Sequence, residues 1–190
     1  TYVLGDMKLM SGVSIIGLIA SLVGIVMGPY LANRFGKKKV YLTAVIISTA
    51  LNLLRLLDVT SMILIYISAL IGGVAGGWMV PVSTSIQADN TTYVQYKTGK
   101  RAEAAIASLT SFVSKVAQGL GGAIPGYVIA AYGFVTGASV QPESINTGII
   151  LCALILPLIF GILGSLIFGT QYTLDQKAVI EMDAKINRNN

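Results

Sequence analysis

Between Leu9 and Gly169 the chain is a succession of long apolar runs, and the short segments that separate them hold most of its charge. No other feature restricts the fold as strongly. A run of about 20 apolar residues is long enough to cross the hydrocarbon core of a bilayer as a helix. Five such windows can be drawn, at 9–32, 40–57, 62–86, 104–131 and 148–169. The expected fold is therefore an all-α membrane protein with five transmembrane helices. Only 11% of the residues are charged and the mean hydropathy is +0.76, whereas a soluble domain carries about 25% charge. A surface with so little charge is built for lipid rather than water.

The basic residues set the orientation. Arg34, Lys37, Lys38 and Lys39 follow the first window, Lys97, Lys100 and Arg101 follow the third, and Lys177, Lys185 and Arg188 follow the fifth. Alternation puts these three segments, with ten of the thirteen Lys and Arg residues, on one side of the membrane. The opposite loops hold Asp58 and Glu143 and no Lys or Arg. The positive-inside rule makes the basic side cytoplasmic. Residues 1–8 read as the end of a preceding span and its outer loop, 9–170 as the membrane bundle, and 171–190 as a cytoplasmic tail with an interfacial helix. The chain opens on Thr1 with no signal-peptide pattern, which reads as a cut through a longer protein.

Several chemistries are excluded. The chain has no histidine, so imidazole catalysis and His-ligated metals are ruled out. Its one cysteine, Cys152, lies in an apolar run and cannot form a disulfide within the chain. A net charge of +5 would suggest nucleic acid in a soluble protein. Clustering of that charge between apolar runs points to the membrane instead. No catalytic residue, metal site or resident cofactor is expected.

Small and polar residues inside the windows carry further information. Gly17, Ser21, Gly24 and Gly28 are spaced 4, 3 and 4 apart and share one helix face, which allows another helix to approach closely, whether as fixed packing or as a sliding contact. Gly72, Gly73, Gly76 and Gly77 precede Pro81 and a polar stretch, as in a helix that lines a cavity or in one that is kinked and packed against lipid. Arg55 lies near the outer end of its window, where snorkelling suits an anchor. Lys115 is more informative, because it falls near the bilayer centre, where an ammonium costs about 2.5–3.5 kcal/mol or more. Ser108, Ser111 and Gln118 share its face, at spacings of 3, 4 and 3 along 108–111–115–118. This stripe reads as the lining of a substrate or cation pathway. No acidic residue lies deep in the five windows, so the counter-charge for Lys115 is expected elsewhere in the protein.

The stretch from Gln87 to Phe134 carries a recognisable pattern. It contains Asp89, Tyr93, Lys97-Thr98-Gly99, Arg101 and Glu103, and then Lys115 in the middle of the next helix. It resembles the glycoside-pentoside-hexuronide:cation symporters, the melibiose-permease-like branch of the major facilitator superfamily. Asn33 to Lys39 is similar to the basic turn of that superfamily, and Tyr172-Thr173-Leu174 to an ending found in the branch. Thr92 stands where the branch usually has a second Asp, which leaves no charge pair to assign there. The resemblance implies that the five windows are helices eight to twelve, most of the six-helix C-terminal bundle of a twelve-helix transporter. It implies symport of a sugar or glycoside with Na+ or H+, the ion being held mainly by carboxylates of the N-terminal half. Lys115 would lie beside those carboxylates. Asp89 and Arg101, in a cytoplasmic loop with Tyr93, Lys97 and Glu103, would help hold the two halves together. The implied partners are the bilayer of a bacterial inner membrane, the N-terminal half and the sugar. A lysolipid or other organic solute carrier on the same fold, or a non-transporting scaffold, would share much of this pattern. An enzyme would need convergent catalytic groups, and neither a histidine nor an intramembrane acid cluster is present.

Overall fold

The structure, a computed structural model, describes residues 7–138 and 141–189. Seven α-helices follow one another: α1 (Met7–Phe35), α2 (Lys37–Leu57), α3 (Met62–Thr98), α4 (Glu103–Ala131), α5 (Ser144–Ile150), α6 (Leu156–Gln171) and α7 (Gln176–Asn189). A π-helical turn, Leu151–Ile155, joins α5 to α6 without a break. There the Leu156 N–H reaches back to the Leu151 carbonyl. Pro157 follows, and its missing N–H disrupts the regular ladder at that point.

Among the described residues, four stretches are long and apolar enough to cross a membrane: Ser11–Phe35, Lys37–Leu57, Met62–Thr98 and Ser144–Gln171. The expected fifth, 104–131, is a helix of 29 residues but is not among them. Its polar stripe and its glycines at 119, 121, 122 and 126 dilute its hydropathy. The expected end of a preceding span, 1–8, lies mostly outside the described residues, and Met7 and Lys8 already belong to α1.

Two boundaries differ from expectation. The basic turn shrinks to Gly36, with Arg34 in the last turn of α1 and Lys37, Lys38 and Lys39 in the first turn of α2. Gly36 adopts a φ of 88°, which a side chain would resist, and so reverses the chain in one residue. The expected cytoplasmic loop from residue 87 is instead a continuation of α3 to Thr98, so Asp89, Tyr93 and Lys97 are helical. At the other end of the bundle, the Asp58 carboxylate accepts from Thr60 N (3.0 Å), Thr60 Oγ1 (2.9 Å) and Ser61 N (3.1 Å). The Thr60 hydroxyl bond, with the backbone bonds, holds its pKa below the ordinary carboxylate value.

α1 packs along α3, and α2 lies against both α3 and α6. The small-residue face of α1 makes the closest contact. A Cβ at Gly73 would lie 2.7 Å from the Gly17 carbonyl oxygen, and one at Gly28 would lie 2.6 Å from Pro81 Cγ. A Cβ at Gly24 or Gly77 would run into the carbonyl of Val74 or Ser21 respectively. The two backbones therefore touch along about three turns, as small-residue seams in membranes do. Near the basic end of the bundle a core of Ala32, Val40, Val82, Ile86 and Tyr172 closes α1, α2, α3 and the end of α6 on one another.

Candidate functional site

Val82, Ile86 and Asp89 fall on one face of α3, at spacings of 4 and 3, and that face is turned into the core. Asp89 is 5% exposed. A buried carboxylate needs donors, and it finds them on two other elements. Lys37 Nζ donates to both carboxylate oxygens, at 2.7 and 2.8 Å. The Tyr172 hydroxyl donates to Oδ2 at 3.1 Å. Burial, and then the negative charge of Asp89, push the Tyr172 phenol well above its ordinary range, so it remains a donor. Its ring stacks on Phe168 with centroids 4.9 Å apart, and Phe168 lies 4.5 Å from Tyr41. One carboxylate thus ties together the start of α2, the C-terminal part of α3 and the end of α6. Lys37 also begins α2 where no acid occupies the first turn, and Asp89 offsets the clash of that cation with the positive end of the helix dipole.

The other basic-side residues are dispersed. Lys97 Nζ stands 5.8 Å over the Tyr93 ring, one turn away on the exposed face of α3. Arg34 donates to the Tyr30 hydroxyl at 3.5 Å and lies 5.4 Å from the Phe35 ring. Arg101 and Glu103, both exposed, line a polar cleft of about 410 Å³ with Asp183 and Asn187 of α7. Lys185 of α7 covers Tyr96 at 5.7 Å. The tail helix is thereby seated on the end of α3. Asp89 and Arg101 do not meet, and Asp89 spends its hydrogen bonds within this chain.

The stripe of Ser108, Ser111, Lys115 and Gln118 lies on α4, and all four side chains are exposed. α4 touches α3, α5 and the π turn, and every residue from Ser111 to Ile124 is exposed. Lys115 is about 18 Å along the helix from Glu103. Among the described residues the single ion pair is Lys37–Asp89, so Lys115 has no counter-charge there.

Two features were not legible as such from the sequence. One is Tyr172 as a partner of Asp89; the only hint was an acid placed in register with Val82 and Ile86. The other concerns Arg55, which turns inward instead of anchoring. It lines a cavity of about 340 Å³ with Ser48, Asn52 and Ser68, and its Nε is buried with no acceptor. The spacing of Ser48, Asn52 and Arg55, 4 and 3, is the signal that places them on one face.

Residues 1–176 match the family model described as MFS/sugar transport protein. The chain is 30% identical over 190 residues to a glucuronide carrier protein homolog of Escherichia coli, covering 96% of this chain and 41% of that protein. It is 32% identical over 187 residues to the uncharacterized symporter YjmB of Bacillus subtilis, covering 96% and 40%. It is 25% identical over 187 residues to a putative sulfoquinovose importer of Escherichia coli, covering 98% and 40%. The chain thus spans about 40% of the length of these relatives. A match over 176 of 190 residues, together with apolar helices of spanning length, decides the matter: the chain belongs to the MFS/sugar transport family.

Proposed function

We propose that the chain is the C-terminal half of a secondary transporter that moves a sugar or glycoside together with Na+ or H+ by alternating access. The observation that carries this reading is Lys115, a cation in the middle of a 29-residue helix, on a face that no described helix covers. A charge so placed has to face water or a carboxylate. In the proposal α4 crosses the membrane as a fifth span despite its lower hydropathy. Its polar stripe then faces the other half of the protein across the pathway, where acidic residues neutralise Lys115. Ser108, Ser111 and Gln118 offer hydroxyl and amide groups of the kind that bind sugar hydroxyls. The relatives named as a carrier, a symporter and an importer support transport rather than catalysis. The basic ends of the helices lie in the cytoplasm of a bacterial cell and the helices in its inner membrane.

The test is sugar accumulation in vesicles containing the intact protein, normalised to correctly inserted molecules. Lys115→Ala abolishes or severely impairs accumulation, because acidic residues across the pathway lose their cation. Lys115→Arg retains little, since a planar guanidinium does not replace a compact ammonium in a crowded site. Normal accumulation by Lys115→Ala, at normal insertion, refutes the role.

A further inference from the structure

A groove of about 390 Å³ runs down the outside of the bundle between α1 and α2. Its walls are Met27, Leu31 and Phe35 of α1, Val40 and Thr43 of α2, and Trp78 of α3. On α1 the lining covers two turns, about 12 Å from the level of Phe35 to that of Met27. At its mouth stands Lys39. Phe35 and Lys39 also line a second cleft, of about 200 Å³, with Lys37 and Lys38. An apolar slot therefore opens directly into a basic cleft.

The charges at that mouth are not balanced. Lys37 is held by Asp89, and Asp175, the other carboxylate of the cleft, offsets only one of the remaining cations. Lys38 and Lys39 form no ion pair among the described residues. Arg34, one residue from the groove-lining Phe35, adds another cation. A ligand that fits both parts needs an anionic head and an apolar tail lying along a membrane helix. Basic pockets between transmembrane helices, backed by apolar surface, suit the headgroup and chain of an anionic phospholipid.

We propose that the α1–α2 groove binds an anionic phospholipid of the surrounding bilayer, its phosphate at Lys38 and Lys39 and one acyl chain between Leu31, Thr43 and Trp78. The lipid supplies the anion that the first turn of α2 lacks, and it covers apolar wall left open by the helices. This site is separate from the Lys115 stripe on α4, so it stands or falls independently of the transport reading.

Trp78, the only tryptophan in the chain, reports on the groove directly. The intact protein is placed in phosphatidylcholine vesicles containing a low fraction of brominated phosphatidylglycerol or, separately, of brominated phosphatidylcholine. The Trp78 contribution to fluorescence quenching is the difference between the protein and its Trp78→Phe variant. Brominated phosphatidylglycerol quenches Trp78 at an about 25-fold lower mole fraction than brominated phosphatidylcholine does, about fivefold for each of the two lysines. Lys39→Gln weakens that preference about fivefold, and Lys38→Gln/Lys39→Gln about 25-fold, following the attraction of one basic residue near an anionic surface. Thr43→Phe fills the groove and lowers quenching while leaving insertion intact, which guards against a lysine variant that fails to fold. Equal quenching by the two lipids, which marks ordinary surrounding lipid, overturns the proposal. So does an absence of quenching, which marks a groove filled by protein, or a preference that survives both lysine substitutions.

Discussion

Asp89 is the charged residue among the buried side chains described, and its surroundings show why it can be there. Two charge-assisted bonds from Lys37 and one from Tyr172 replace the water it loses. Each hydrogen bond to a charged group is worth about 1.5–3 kcal/mol. Tyr172→Phe removes one of them and is expected to destabilise the intact protein by about 1.5 kcal/mol. Asp89→Asn leaves the ammonium of Lys37 half-buried without its counter-ion and is expected to cost more, about 3 kcal/mol. Thermal unfolding of the purified variants in detergent checks the order. Lys37→Met combined with Asp89→Leu recovers part of the loss, because no isolated charge remains. If the single variants have equal and small effects, the cluster is held by its aromatic packing alone. Asp89 was legible in the sequence as a residue of interest, and Lys37 as part of a basic segment, but not their pairing. They are 52 residues apart, and only the packing of α2 on α3 brings them to 2.7 Å.

At the scale of the element, α1 and α3 form a seam whose spacing is set by glycine. Gly77 meets the Ser21 carbonyl, whereas Gly76, one residue away, has nothing within 4 Å. Gly77→Ala therefore forces the helices apart and is expected to destabilise by about 1–3 kcal/mol. Gly76→Ala is expected to be neutral, or to stabilise by up to about 1 kcal/mol through helix propensity. The ratio of folded to aggregated protein on heating separates the two. Equal behaviour would mean that the seam is loose enough to slide. The face of α1 that makes the seam was readable from the 4, 3, 4 spacing of Gly17, Ser21, Gly24 and Gly28. Its partner was not, because Gly72, Gly73, Gly76 and Gly77 look as much like a loosened, cavity-lining segment as like a packing surface. α4 is the reverse case. Its polar stripe was plain, and the same polar residues lower its hydropathy below that of the four stretches long and apolar enough to span a membrane.

For the whole molecule, the positive-inside rule applied to Lys and Arg leads to the proposal that the basic ends are cytoplasmic. Cysteines placed at Lys38 and Lys97 are expected to resist an impermeant thiol reagent added outside the cell and to react once the membrane is opened. Efficient labelling of either from outside would invert the topology. Arg101 tests the proposed contact with the proposed N-terminal half. It is exposed, outside the Asp89 cluster, and close to α7. If it reaches across to that half, Arg101→Ala lowers sugar uptake per inserted molecule well below Lys100→Ala. Equal, small effects would assign Arg101 to the cleft with Glu103 and Asp183. Either result leaves the Lys115 test untouched, since Arg101 precedes α4 and Lys115 lies in the middle of that helix.

The sequence by itself determined that this chain is helical and apolar, where its basic ends are, and that Lys115 demands a polar surrounding. Those conclusions follow from run length, composition and charge, which act locally and along the chain. Tertiary structure decided what no local pattern encodes. It shortened the basic turn to Gly36, because α1 and α2 can both run to the same core of Ala32 and Val40. It carried α3 on to Thr98, because Asp89 on that extra length has Lys37 and Tyr172 to satisfy it. It turned Arg55 inward to a cavity and left the face of Lys115 open. Each of these depends on which surfaces meet across tens of residues, and a buried polar group is tolerable only where such a meeting supplies its partner.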